Sequence, residues 1–186
     1  MKRFLLIVSF LVLNCSMIFA FENHPAGARS LALSHASVSF SDVWSVFHNQ
    51  AGIATLSRLS AAFFYESRFQ IDELSLVSGA LVVPTGSGNF GLGFFQFGKG
   101  SFKENKFALA YSKQLSENFS AGIQLDYFSQ TFPENSRSKG FVTFEGGVIY
   151  SVSGNFILGA HVFNPLQRGV ETLAGKQKLP AVFRFG

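Results

Sequence analysis

Charged residues are scarce in this chain: 15 Lys and Arg with 11 Asp and Glu make up 14% of 186 residues, against about a quarter in an ordinary soluble domain. Cysteine occurs once and tryptophan once, alongside five prolines. One cysteine cannot support a disulfide framework. Beyond the N-terminus there is no long apolar run, and a mean hydropathy of +0.26 is too low for a multi-span helical membrane protein. No basic cluster is present to grip phosphates, which makes nucleic acid a poor partner. Collagen, coiled coil and disorder fit the composition no better. What is plentiful is phenylalanine, at 24 positions, and glycine, at 18. Such a chain reads as all-β, built of many short strands, with a soluble β sandwich still open as an alternative.

The first 20 residues read as an export signal. Met1-Lys2-Arg3 supplies the basic start, residues 4–13 contain only Ser9 as a polar interruption, and Ala20 offers a small residue at the cut. A spanning helix needs about 20 predominantly apolar residues, and Asn14-Cys15-Ser16 breaks this run too early for an uncleaved anchor. Asn14 is also a poor neighbour for lipidation of Cys15. Cleavage after Ala20 removes the cysteine and lowers the formal charge from +4 to +2, because Lys2 and Arg3 leave with it.

From residue 59 the sequence divides into segments of strand length: 59–69, 74–83, 89–97, 105–114, 118–130, 141–152, 156–164 and 179–186. A strand needs about 9–11 tilted residues to cross a bilayer. Their connections alternate between tight turns (Pro84-Thr85-Gly86-Ser87, Leu115-Ser116-Glu117, Ser153-Gly154) and longer polar links at 98–104, 131–140 and 165–178. Short turns at one rim and long loops at the other are the habit of an outer-membrane barrel.

Within the segments the period is two. Ala61, Phe63 and Tyr65 oppose Ala62, Glu66 and Arg68; Phe119, Ala121, Ile123, Leu125 and Tyr127 oppose Ser120, Gly122, Gln124 and Asp126, with Phe128 the exception. Val142, Phe144, Val148 and Tyr150 oppose Thr143, Glu145 and Gly147, and Phe156, Leu158, Ala160 and Val162 oppose Gly159 and His161. In the last segment Leu179, Ala181, Phe183 and Phe185 oppose Arg184. Glu66, Arg68, Asp126, Glu145, His161 and Arg184 are therefore the candidate lumen-facing residues. A Lys or Arg on the lipid side near the midplane would cost about 2–4 kcal/mol. One wet face of a soluble antiparallel sheet would alternate in the same way. The large apolar residues on the opposite face would then need a second layer to cover them.

Residues 21–58 differ in character. Leu31, Leu33, Ala36, Val38 and Phe40 suggest an extended segment, and Ser41-Asp42 precedes a short helical stretch at Val43-Trp44-Ser45-Val46-Phe47. Too short to span alone, this region reads as a plug inside a barrel mouth. Gly27-Ala28-Arg29, the small residues Ala36-Ser37-Val38, Asp42, and Trp44-Ser45-Val46-Phe47-His48-Asn49-Gln50-Ala51-Gly52-Ile53-Ala54 resemble the N-terminus of the PorV/PorQ-like outer-membrane proteins, which are similar in turn to FadL-type transporters. The family motif falls on Gly27, Ala28, Arg29, Asn49, Ala51 and Gly52; Gln50 stands where the family has proline and Ile53 where it has leucine. Residues 179–186 resemble a strand start found well inside family members.

The resemblance implies an outer-membrane location and a longer barrel, of which 59–186 would be the N-terminal strands; a complete eight-stranded barrel is the alternative. It also implies a non-enzymatic role as a membrane component of type IX-like secretion or surface attachment, with outer-membrane lipid and secreted cargo proteins as partners. A FadL-like passage for hydrophobic small molecules, and a soluble secreted β-sheet binding protein, stand as the other readings.

Residue patterns of catalysis are weak. Gly86-Ser87-Gly88-Asn89-Phe90-Gly91 spells a dinucleotide fingerprint, but Leu92-Gly93-Phe94 continues as strand where that fingerprint needs a helix. His24, His35, His48 and His161 lack metal-ligand spacing. No nucleophile elbow occurs, so no catalytic residue, cofactor or metal is expected.

Overall fold

A computed structural model describes residues 26–100, 102–132, 135–172 and 175–186; the export signal expected over residues 1–20 lies outside them. Ten strands follow an irregular N-terminal segment: β1 Ser60–Ser67, β2 Ser75–Thr85, β3 Gly88–Phe97, β4 Lys103–Ser116, β5 Phe119–Phe132, β6 Asn135–Ser153, β7 Phe156–Phe163, β8 Gly169–Thr172, β9 Gly175–Lys178 and β10 Val182–Phe185. Eight of them form one sheet in the order β1-β2-β3-β4-β5-β6-β7-β10, while β8 and β9 pair as a separate hairpin. Every neighbouring pair is antiparallel. The sheet does not close, since β1 and β10 stand at opposite edges. The chain is thus all-β and has the form of an incomplete barrel wall.

The tight turns at Gly86-Ser87, Glu117-Asn118 and Gly154-Asn155 are two residues each. At the first, the Tyr111 hydroxyl donates to the Ser87 carbonyl at 2.9 Å. The glycine-rich Gly86–Gly91 stretch is thereby a hairpin between β2 and β3. At the opposite rim two expected loops are replaced by strand. β5 and β6 run on past an irregularity after the Gln130–Lys139 pair to join Phe132 with Asn135. The 165–178 link folds back on itself as β8 and β9.

Two further expectations are corrected. Residues 28–32 are not extended but form a short helix, α1 Ala28–Ala32, for which Ala and Leu are good formers. Ser34 and His35, at φ 50° and 66°, then turn the chain back. The second helix is α2 Ser45–His48, followed by a 3-10 helix Gln50–Thr55. Its start is tied by the Asp42 carboxylate, which accepts from the Trp44 N–H at 2.9 Å. The last strand begins at Val182, and Leu179 is buried in the core at 1% exposure instead of facing outward. Asn164 Nδ2 holds the Leu179 carbonyl at 3.0 Å, and the Leu179 N–H donates to the Arg168 carbonyl, drawing that residue inward.

The segment from residue 26 to 56 lies against one face of the sheet, packing on β3, β4, β5 and β6. We call that face inner. Val46, Phe47 and Ile53, each 0% exposed, meet Ala80, Val82, Ala108, Ala110 and Phe95 there to form the core. Full burial of such a side chain stabilises by about 1.5–3 kcal/mol, so these three residues are the main apolar anchors of the segment.

Candidate functional site

Glycines of the wall make the seat for the N-terminal segment. A Cβ at Gly93 would stand 2.8 Å from Val46 Cγ1, and one at Gly91 would stand 2.9 Å from Ile53 Cδ1. At Gly122 it would meet the Gln50 backbone, at Gly147 the Asn49 Oδ1, and at Gly159, at 2.6 Å, the Val38 carbonyl. On β3, β5, β6 and β7 the same inner-face positions thus lack side chains where the segment presses closest. Each is smaller than alanine because another group occupies the space.

Polar side chains then fasten the seat. Asn49, wholly buried, donates through Nδ2 to the Val38 carbonyl at 2.7 Å and to the Val148 carbonyl at 3.1 Å, while its Oδ1 accepts from the Ala51 N–H. From the wall, Asn89 Nδ2 reaches back to the carbonyls of Ile53 (2.6 Å) and Leu56 (2.7 Å), satisfying the end of the 3-10 helix. Ser112 Oγ lies 3.4 Å from the Ala51 carbonyl.

The two parts of the Gly-Ala-Arg and Asn-Ala-Gly motif meet in space. Gly27, at φ +100°, leaves room for the Trp44 ring, which a Cβ would approach to 2.8 Å. Ala28 opens α1. Arg29 stacks over Phe40 at 4.1 Å and pairs with Asp42 at 3.8 Å. Ala51 is fully buried, and Gly52 leaves its space to Ser45 and the Phe40 carbonyl. His48 links the halves: its Nε2–H donates to the Ala26 carbonyl at 2.8 Å. Burial is the main influence on this imidazole and holds its pKa down to about 4, although the bond to Ala26 opposes the shift.

Beneath the segment sits a charged cluster. Lys106 on β4 is 0% exposed and lies between two buried carboxylates, bonding Glu145 Oε1 of β6 directly and approaching Asp126 Oδ1 of β5 at 3.4 Å. Glu145 Oε2 accepts from His161 Nε2 on β7 at 3.0 Å and from Gln50 Nε2 of the N-terminal segment at 3.0 Å. Gln124 Nε2 donates to Asp126 Oδ1 at 2.8 Å. Phe128 and Phe163 flank the ammonium, with ring centroids 5.2 and 5.6 Å away. Isolated charges would not survive such burial; paired and hydrogen-bonded ones do.

The candidate lumen residues fall into two groups. Asp126, Glu145 and His161 belong to the cluster, and Arg184 is the register partner of His161 across β7 and β10. Glu66 and Arg68 stand apart at the rim of β1, paired with each other at 2.9 Å. Arg68 lies in the turn after β1 instead of within it. Lys106, Gln50 and Gln124 complete the cluster and are absent from the candidates read from the sequence. Strand parity held the signal for Lys106: with Phe107, Leu109 and Tyr111 outward, residue 106 must point in. Glu104 with Gln130, 2.6 Å apart and buried, forms a second inward pair of the same origin.

The opposite face carries Ile123 at 67% exposure and Phe63 at 74%, with Leu92, Phe107, Leu109, Leu125, Tyr127 and Phe144 also exposed. Among the described residues no helix is long and apolar enough to cross a membrane, and no group of His, Cys, Asp and Glu is placed to hold a metal ion. The chain matches no family model, no curated protein and no solved structure.

Proposed function

We propose that this chain is the wall and plug of a non-enzymatic outer-membrane β-barrel of the PorV/PorQ type, acting as a membrane-held binding partner in protein secretion or surface attachment. One observation carries the reading: the same strands that expose a continuous apolar face outward have an inner face filled by the 26–56 segment. Large apolar side chains on a whole exposed sheet face ask for lipid or another protein layer. β2 to β6, with 10 to 19 residues each, reach the about 9–11 residues that a tilted crossing needs. Because the plug is seated on glycines and fastened by Asn49 and Asn89, the inner face suits a scaffold better than a passage for hydrophobic molecules. Cargo would then be met at the rim that bears β8 and β9 and the β5–β6 hairpin end.

The test is to delete the 169–178 hairpin in the producing cell and follow export of surface proteins. Loss of export with the barrel still in the outer membrane supports the binding role. Normal export in that deletion, together with uptake of hydrophobic compounds that fails in plug variants, would replace it with the transporter reading.

A further inference from the structure

The charged cluster under the plug brings one ammonium, Lys106, and two carboxyl groups, Asp126 and Glu145, together at 0% exposure, and the two carboxyls are not equally served. Glu145 has three donors: Lys106 on Oε1, and His161 Nε2 and Gln50 Nε2 on Oε2, each of these two at 3.0 Å. Asp126 has the Gln124 amide at 2.8 Å and the same lysine at 3.4 Å, both on Oδ1. Its Oδ2 has no hydrogen-bond partner among the described residues, and neither has the buried Gln124 Oε1. Gln50 Oε1, wholly buried on the plug, is a third acceptor without a donor. The amide orientations follow from what their nitrogens touch: Asp126 Oδ1 for Gln124, Glu145 Oε2 and the Val46 carbonyl for Gln50. Flipping either amide would set oxygen against oxygen. The site is therefore short of donors, and with two carboxylates to one ammonium it carries a surplus negative charge. Buried charge of that kind is removed by neutralisation.

We infer that the cluster binds one proton, carried on Asp126 Oδ2 as a carboxylic acid. The proton is taken from solvent as the chain folds: an O–H bond forms on Oδ2 and that carboxylate loses its charge. An acceptor without a partner becomes a donor. It closes a second bond to Gln124 Oε1 beside the one Nε2 already makes to Oδ1, the two-bond pairing of an acid with a primary amide. Lys106 and Glu145 then remain as a balanced ion pair. Two other ways of supplying the missing donor fit less well. A metal cation at Asp126 would be repelled by the Lys106 ammonium, which already lies 3.4 Å from that carboxyl. An imidazolium at His161 would balance the charge. However, His161 Nδ1 has no partner among the described residues, so it would become a buried donor with nothing to receive it, and Asp126 Oδ2 would stay as it was. The remaining charged groups around the cluster leave the count unchanged. Arg184 on β10, the register partner of His161, and Glu104 on β4, bonded to Gln130, add one charge of each sign. His48 on the plug is neutral.

The experiment is infrared spectroscopy of the folded protein at neutral pH, where a carboxylic acid shows a C=O stretch that a carboxylate lacks. The chain has three aspartates, and the other two, Asp42 and Asp72, lie outside the cluster, paired with Arg29 and Lys99. Expected is a carboxylic-acid band that moves to lower frequency when the aspartates carry carbon-13 at the carboxyl, vanishes in Asp126→Asn and persists in His161→Gln. Asp126→Asn puts an amide of the same shape against Gln124, so its urea midpoint should match wild type. Glu145→Gln removes the counter-ion of Lys106 and should lower that midpoint. Should the Asp126 variant fail to fold, the isotope shift in wild type decides by itself. A wild-type spectrum with no band that responds to aspartate labelling overturns the proposal. So does a band that survives in folded Asp126→Asn, or one that responds to glutamate labelling alone, which would put the proton on a glutamate.

Discussion

Lys106 and Phe107 are neighbours in sequence and opposite in environment: the lysine is 0% exposed, the phenylalanine 53%. The same inversion repeats along the wall, at Asp126 beside Tyr127 and Glu145 beside Phe144. In a protein surrounded only by water, such an assignment is upside down, because charge would be outside and aromatic surface inside. The difference teaches that the two faces of this sheet follow opposite rules, as two solvents would impose on the membrane reading proposed above. Its inner face is filled from within, by glycine seats and buried ion pairs, and its outer face leaves large apolar side chains exposed.

Breaking the inner side should cost most. Lys106→Met leaves Asp126 and Glu145 buried without their cation and should destabilise the protein by about 3–5 kcal/mol, measured by urea unfolding in detergent micelles. Adding Asp126→Asn and Glu145→Gln should recover much of the loss, because no unpaired charge then remains. On the outer side, Ile123→Lys should cost about 2–4 kcal/mol when unfolding is followed in a bilayer, as for a lipid-facing position. In an aqueous setting the same surface change would stay within about 0.5 kcal/mol.

Of these positions Ile123, Asp126 and Glu145 were legible in the sequence, whereas Lys106 was not read from it. Two-residue alternation placed Ile123 outward and Asp126 and Glu145 inward, and Phe128, which broke the pattern, proves to be an inward residue stacked on Phe141 at 5.3 Å and edge-on to Phe95 and Phe163. The pairings were not legible. Gln50 meets Glu145 across 95 positions, and nothing local in the sequence announces a contact of that separation. Boundaries failed for a related reason: the 131–140 stretch is polar, yet strand partners across the hairpin override its composition. Leu179 was misread because parity was extended to residues that precede the strand.

The seat of the plug responds to pH. The His48 imidazole is held neutral in the folded protein down to about 4, whereas an unfolded chain would take up its proton near 6.5. Stability is therefore full above about pH 6.5, falls as pH drops through that window, and levels off below about 4, for a loss of about 3 kcal/mol from this group. His48→Gln should flatten that part of the profile in a pH series of unfolding midpoints. A smaller loss, about 1–3 kcal/mol, is expected from Gly147→Val, whose side chain would displace the Asn49 amide. Hydrogen exchange should localise that effect to residues 38–56 and leave the β2–β5 ladder protected.

The contrast between the two faces is tested most directly by tryptophan fluorescence in vesicles whose phospholipids carry bromine on the acyl chains. Trp44 is the chain's single tryptophan and belongs to the plug, so the wild-type signal reports the inner side. A Trp44→Phe, Ile123→Trp variant reports the outer side. The account predicts strong quenching of the residue at 123 and little of Trp44. Residue 123 left bright by brominated chains but quenched by iodide from the aqueous phase would contradict it.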